Sequence, residues 1–288
     1  MIFDNRHTRL IKAIKQAEMN KVRSLADKVN LDEPDKQGLT PLVIAAGLGQ
    51  LSAIKLLLHS GAAANAPATD GETALMAASR HGQAPVMEAL VAAGANVNAA
   101  DKRGNTPLIL ATVWATRMAS IGRSKTVSRV KILLEAGADV KAPDSKGRTA
   151  VIAQVRSGGG TLQEKNRLPV LRALIEAGAD VNAASDRGRT PLMAAAFRGL
   201  KKTFELLLEA GANQKLRDNS GHNALMHAAE GALWTYRKAG YIGIFNMLFD
   251  LGIDLQEKNA GGQTALMITQ HSHCKDLANM LKKAGAFE

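Results

Sequence analysis

The sequence predicts an all-α protein, a solenoid of stacked helix pairs joined by short hairpin fingers. Three observations carry this reading. A Gly-x-Thr step recurs with its Thr at Thr40, Thr73, Thr106, Thr149, Thr190 and Thr264, and Asn223 fills the sixth of seven places. A closing Gly-Ala recurs at Gly61, Gly94, Gly137, Gly178, Gly211 and Gly285, with Ile253 replacing the Ala after Gly252. Between these marks Leu, Ile and Val fall at i, i+3 and i+4, as in Ile54–Leu58 and Leu206–Leu208, which is the spacing of an amphipathic helix. The base period is 33 residues, from Thr40 to Thr73 to Thr106 and from Thr190 to Asn223. One such unit cannot bury both of its faces, so neighbours must stack into a continuous core.

The elements follow in order. The opening MIFDNRHTRLIKAIKQ places charge among its apolar positions and has no small-residue cleavage site, so it reads as an amphipathic helix rather than a leader. Residues 8–33 form a helix pair without the Thr-Pro entry, as expected of an N-terminal capping unit spanning 1–34. Repeats then start near residues 35, 68, 101, 144, 185, 218 and 259, and residues 1–288 are expected to form a single domain. Pro41, Pro107 and Pro191 fit the first turn of a helix, where no amide donor is needed. The Gly after each second helix suits a left-handed cap.

The wording of these units is specific: GADVNA stands at 178–183, GANVNA at 94–99 and GADVKA at 137–142. With Gly-x-Thr-Pro-Leu and Ala-Ala ahead of it, the pattern resembles the ankyrin repeat over residues 35–286. The resemblance implies recognition of a folded protein partner through fingers, concave first helices and rim. The family pattern often has a His two residues after the Pro. Here that place holds Val43, Met76, Ile109, Ile152, Met193, Met226 and Met267, so apolar contact should replace the polar Thr–His link. The Met series is expected to fill core rather than to bind a ligand.

The rhythm breaks three times. From Thr to closing Gly the spacing is 21 in four repeats, but 31 in the third, 29 in the fourth and 29 in the sixth, giving inserts of 10, 8 and 8 residues between the two helices. Inserts at one structural place should share one rim, and such inserts mark a working face or neutral loop drift. The third repeat, VWATRMASIGRSKTVSR at 113–129, contains Trp114, Arg117 and Arg123; the sixth, EGALWTYRKAGYIG at 230–243, contains Trp234, Tyr236 and Arg237. Both are expected to lengthen the first helix up to a stop at Gly122 or Gly240. Their rings either meet a partner or brace the longer helices. The fourth, RSGGGTLQEKNRLP at 156–169, reads as a loop. Its three glycines are not a phosphate cradle, since no strand precedes them and no Lys-Ser/Thr follows.

Charge supplies a second candidate surface. The chain has 37 Lys and Arg against 26 Asp and Glu, a net +11, which favours an acidic partner. Concave positions carry Arg80, Arg156, Phe197 and Arg198, and the fingers carry Arg103, Arg148, Arg187 and Arg189. Arg and aromatic residues are enriched among interface hot spots; the alternative is that basic finger tips are merely solvated.

Catalytic patterns are absent: there is no His-Glu-x-x-His, Gly-x-Ser-x-Gly or Walker loop. In His271-Ser272-His273-Cys274 three donors crowd four residues without a fourth ligand, so no metal site is expected. The single Cys274 excludes an internal disulfide. No cofactor and no membrane partner are expected, and no apolar run approaches the roughly 20 residues of a membrane span. The function expected is a non-catalytic protein-binding scaffold, most concretely an inhibitor or immunity-type protein that occludes a partner enzyme such as a bacterial hydrolase. The Thr-Ala/Pro-Leu-Met wording and the lack of attached domains resemble stand-alone bacterial ankyrin proteins. The alternative is polyanion or nucleic-acid binding on a basic concave face, with nucleic acid disfavoured by the scarcity of aromatics along the fingers. The chain is expected to be monomeric alone and cytoplasmic as it stands, or periplasmic in a bacterium where a leader has been removed.

Overall fold

The computed structural model describes residues 5–117, 123–158, 164–233, 238–270 and 275–287. These residues form sixteen α-helices and no strand, in two compact units, Met1–Ser145 and Lys146–Glu288.

In the first unit α1 (Asn5–Lys15) and α2 (Met19–Ala26) form the opening pair. Three further pairs follow: α3 (Pro41–Gly47) with α4 (Leu51–His59), α5 (Ala74–His81) with α6 (Ala84–Ala92), and α7 (Pro107–Arg117) with α8 (Arg123–Glu135). First helices pack on first helices and second on second, α1 on α3 on α5 on α7 and α2 on α4 on α6 on α8. The Thr of each entry step caps its helix: Thr40, Thr73 and Thr106 each accept, through Oγ1, the backbone N–H of Val43, Met76 and Ile109 at 3.3 Å. Such a cap contributes about 1 kcal/mol. The residue at the His place thus donates its backbone N–H to the Thr while its apolar side chain enters the core. Val43, Met76 and Ile109 are all buried, in keeping with the apolar contact expected there.

The second unit repeats the scheme with α9 (Ala150–Arg156) and α10 (Glu164–Glu176), α11 (Pro191–Phe197) and α12 (Lys201–Glu209), α13 (Ala224–Leu233) and α14 (Lys238–Asp250), and α15 (Ala265–Gln270) and α16 (Lys275–Lys283). Helices α9, α11, α13 and α15 form one layer, and α10, α12 and α14 the other. Phe204, Leu207, Phe245 and Leu248 are fully buried between them; each such side chain contributes about 1.5–3 kcal/mol. Asn223 takes over the capping role of Thr, accepting the Met226 N–H at 3.0 Å. Thr149 is the exception. Its hydroxyl makes no cap bond and is buried without a partner.

Two systems of hydrogen bonds fasten successive repeats within each unit. Finger tips join through single backbone bonds, Lys102 N–H to Asp70 O at 3.0 Å in the first unit and Asn219 N–H to Arg187 O at 3.0 Å in the second. Nearer the end of each second helix, the Asn of the Gly-Ala-x-x-Asn string bridges forward. Asn65 donates to Gly94 O and accepts from Asn96 N–H; Asn98 does the same to Gly137 and Asp139, and Asn182 to Gly211 and Asn213.

The inserts depart from expectation in two ways. The fourth is not a loop throughout: α10 begins at Glu164, so residues 164–169 belong to a 13-residue helix. Its buried face starts with Glu164 and Arg167, two charged residues that a hydrophobic pattern scores as surface, and it contains Pro169, which a sequence reading takes as a breaker. The second correction is Gly240, which lies inside α14 rather than stopping α13. A Cβ there would collide with the Gly199 carbonyl, as one on Gly231 would with the Phe197 carbonyl. These glycines permit close approach of backbones. The third and sixth repeats do lengthen their first helices, to 11 residues in α7 and 10 in α13, and their second helices to 13. Gly122 lies outside the described residues.

Candidate functional site

Each finger turns back onto the start of its own first helix. The residue just before the capping Thr therefore meets the residue seven after it, two helical turns on. In the second repeat this slot holds Glu72 and Arg80, paired at 2.8 Å. In the sixth it holds His222 and Glu230, 3.2 Å apart. In the fourth it holds two cations, Arg148 and Arg156, which line one hollow of about 330 Å³ together with Lys146, Asp186, Arg187 and Arg189. Partial burial, and then the charges of Arg189, Arg148 and Arg187, hold the Arg156 guanidinium below its ordinary value. Neither Arg156 nor Arg187 makes an ion pair among the described residues, whereas Arg189 Nε reaches Asp218 Oδ2 at 3.4 Å.

Arg156 and Arg189 also line a second hollow of about 270 Å³, whose apolar part is Met193, Ala194 and Phe197. Phe197 keeps 37% of its surface exposed and meets His227 edge-on, with ring centroids 6.4 Å apart. The fifth repeat thus fills its slot with Arg189 and Phe197, an apolar surface beside a cationic one.

Behind this wall stands a polar network in which sequence alone shows only single concave positions. His227 is buried, with Nε2 3.0 Å from Asp218 Oδ2 and Nδ1 3.4 Å from Glu230 Oε2. For Asp218, burial acts to raise the pKa. The backbone N–H groups of His222 and Ser220 and the neighbouring His227 and His222 outweigh it, and the carboxyl sits below its usual range. Glu230 is likewise lowered, first by its hydrogen bond with His227, against an opposing burial effect. A His held between two carboxylates has the parts of an acid–base device, but no Ser, Thr or Cys lines the adjoining hollow. The detectable signal is positional: Asp218, His222, His227 and Glu230 stand five and one before and four and seven after the capping Asn223.

Arg198 and Arg167 serve the fold. The Arg198 guanidinium donates to the carbonyls of Arg156, Ser157 and Gly158, and Arg167 to Val155 O at 3.3 Å and Ser157 O at 2.6 Å. Together they satisfy the free carbonyls at the C-terminus of α9, where cations also complement the helix dipole. Arg167 is fully buried, and burial, aided by Arg198 and opposed by Glu164, pushes its pKa down to about 10.

The remaining sequence candidates fall as follows. Arg80 is engaged with Glu72, and Arg103 is exposed on a finger of the first unit. Arg148, Arg187 and Arg189 share the hollow of the second unit, so three of the four finger arginines come together there. Trp114 and Arg117 fall on α7 and Arg123 on α8, with side chains outside the described set. Trp234, Tyr236 and Arg237 lie outside the described residues, as does His271-Ser272-His273-Cys274. Tyr241 acts as a brace: it is buried, its hydroxyl donates to Phe197 O at 3.0 Å, and its ring fills the space beside Gly199. Among the described residues no group of three His, Cys, Asp or Glu is placed to hold a metal, and no helix is long and apolar enough to cross a membrane.

The family model described as "Ankyrin repeats (3 copies)" matches residues 2–68, 60–144 and 161–259. The chain belongs to the ankyrin-repeat family. Residues 145–160, which carry Arg148 and Arg156, fall between the matched segments. The crystal structure of the ankyrin repeat domain of Bcl-3, described as a unique member of the IkappaB protein family, is similar to this chain at 28% identity. The likeness covers 76% of this chain and 93% of that one, with a TM-score of 0.62. A search of curated proteins found no match. The ankyrin-repeat fold is in general a non-catalytic scaffold for binding other proteins.

Proposed function

We propose that this ankyrin-repeat chain is an inhibitor or immunity-type protein, which binds a folded partner enzyme and occludes its active site. A bacterial hydrolase is the expected target. The observation that carries the reading is the slot of the fourth repeat. Two cations face each other where the second and sixth repeats hold paired groups, and one of them, Arg156, makes no ion pair among the described residues. An acidic partner would supply one, and the net charge of +11 would speed the encounter. The long inserts of the third and sixth repeats, with Trp114 and Trp234, supply further candidates for reaching into a cleft.

The test is capture of partners from a lysate of the source organism with the chain as bait, followed by assay of each captured enzyme against added chain. Stoichiometric loss of activity is expected for one of them. Binding with activity unchanged would leave a scaffold that is no inhibitor. The same cations favour a second reading, attachment to a polyanion. Retention on an anionic polymer that is steeply salt-dependent and indifferent to sequence would support it over the first.

A further inference from the structure

Three features invite a use: the His227 network, the carbonyl-holding arginines at the end of α9, and the adjoining hollows of the fourth and fifth repeats. The first two are satisfied within the protein. The hollows leave Arg156 and Arg187 without an ion pair among the described residues, and their chemistry differs from end to end in a way that selects a ligand.

We infer that these hollows of the second unit bind a short acidic segment of a partner protein, with one apolar side chain seated on Phe197 and Met193 and flanking carboxylates over Arg156, Arg187 and Arg189. The inference deepens the inhibitor reading by naming what the partner presents, and it rests on that reading's premise that the surface binds protein.

Four observations converge. The repeat fold supplies its own controls, since the same slot is closed by Glu72 on Arg80 and by Glu230 on His222. In the fourth repeat Arg148 stands where a carboxylate would, so the anion that answers Arg156 must come from outside. Second, the lining of the larger hollow is mostly cationic, with Asp186 as its one carboxylate, and two of its arginines, Arg156 and Arg187, make no ion pair among the described residues. Third, Arg156 and Arg189 line both hollows, so an anionic group held there lies next to the apolar surface of Met193, Ala194 and Phe197. Each hollow, at about 330 and 270 Å³, has room for side chains rather than for a domain. Fourth, the apolar lining is a single ring, Phe197, beside Met193 and Ala194, which suits one aliphatic side chain rather than the run of aromatic platforms on which successive bases stack. Guanidinium groups bind carboxylates bidentately, as they do phosphates, and Phe197 is already partly desolvated, so both ends of an acidic segment with one apolar residue gain from the same pose.

The experiment uses the whole chain and a short fluorescent peptide of Asp and Glu with one central Leu, followed by anisotropy at physiological salt. Arg156→Gln and Arg187→Gln should each weaken binding about tenfold, the scale of a lost charge-assisted hydrogen bond. Phe197→Ser and a Leu-to-Ser change in the peptide should each weaken it several-fold, and the two together should cost no more than either alone. Lys55→Gln, an equal charge change in the first unit, should leave binding unchanged. The Arg156 and Arg187 side chains make no hydrogen bond among the described residues, so both variants should keep the parent melting temperature.

No binding by the parent chain would overturn the inference, as would an equal loss from Lys55→Gln or indifference to the Leu. An oligonucleotide of the same charge that binds as tightly and ignores Phe197→Ser would assign the hollow to polyanions instead. If the peptide fails while the chain still inhibits a captured enzyme, undiminished by Arg156→Gln, the inhibitor reading stands and this inference falls. Peptide binding with the stated dependence, and no enzyme inhibited, would sustain the acidic-segment site and remove the inhibitor reading.

Discussion

The second and fourth repeats build the same slot from the same spacing and close it differently. Glu72 holds Arg80 at 2.8 Å in one; Arg148 faces Arg156 in the other. The backbone is common to both, so the difference lies in one residue of the finger, a Glu or an Arg before the capping Thr. A repeat protein can therefore change a slot from an internal ion pair to two like charges without altering its core. The sixth repeat marks a third outcome, with His222 and Glu230 joined to buried His227 and Asp218 in one polar network.

The comparison can be broken most severely at that network. His227→Ala should remove the group between two carboxylates, one of them, Asp218, buried. It should cost about 3 kcal/mol in chemical denaturation, the scale for leaving a buried charge without its partner. A loss below about 1 kcal/mol would mean that Arg189 and His222 suffice. Next comes conversion of the fourth repeat into the second. Arg148→Glu should supply Arg156 with an internal carboxylate and weaken the acidic peptide about a hundredfold. The melting temperature should hold or rise, and unchanged affinity would show that the slot does not govern binding.

A pH experiment sharpens the contrast. Asp218 and Glu230 both titrate below their usual range in the folded protein, so their contribution is fully present above pH about 5 and is lost as the pH falls through the lowered values. Asp218→Asn should flatten the acid limb of a melting-temperature profile; Glu72→Gln, at the surface pair of the second repeat, should not. A limb of unchanged steepness in Asp218→Asn would place the acid sensitivity elsewhere. The smallest expected effect separates two caps. Thr190→Val should cost about 1 kcal/mol, because its hydroxyl accepts the Met193 N–H, whereas Thr149→Val should cost less than about half of that, since the Thr149 hydroxyl has no partner. Equal costs would show that Thr149 is bonded in solution.

Much of this is legible in the sequence. The Thr, Pro and Gly marks place the helix pairs, because each is tied to a local backbone need that neighbours cannot override. The arginine hollow is legible in part: Arg148, Arg156, Arg187 and Arg189 all stand out, but as one basic surface with Arg103 rather than as a slot set against Glu72 and Arg80. Polar groups that do core work are not legible. Arg167 and Glu164 are buried on α10, and Arg198 holds α9 carbonyls, yet nothing in charge or periodicity distinguishes them from solvated residues. Gly240 misleads for a related reason: a glycine required by a carbonyl in the adjacent repeat looks, in one dimension, like a helix stop.

Those glycines bear on how such a chain can change by duplication. Ankyrin arrays grow by copying a unit next to itself, which works when every seam is alike. The seam between the fifth and sixth repeats is not. Gly231 and Gly240 leave the Phe197 and Gly199 carbonyls no space for a Cβ, and the Tyr241 ring occupies the place a side chain at Gly199 would take. The sixth repeat is thus keyed to a predecessor that ends as this one does. Copied behind the second repeat, it would meet Arg80, His81 and Gly82 in place of Phe197, Arg198 and Gly199. The array is modular along part of its length and committed at this joint, so grafts cut at the seam should be the ones that misassemble.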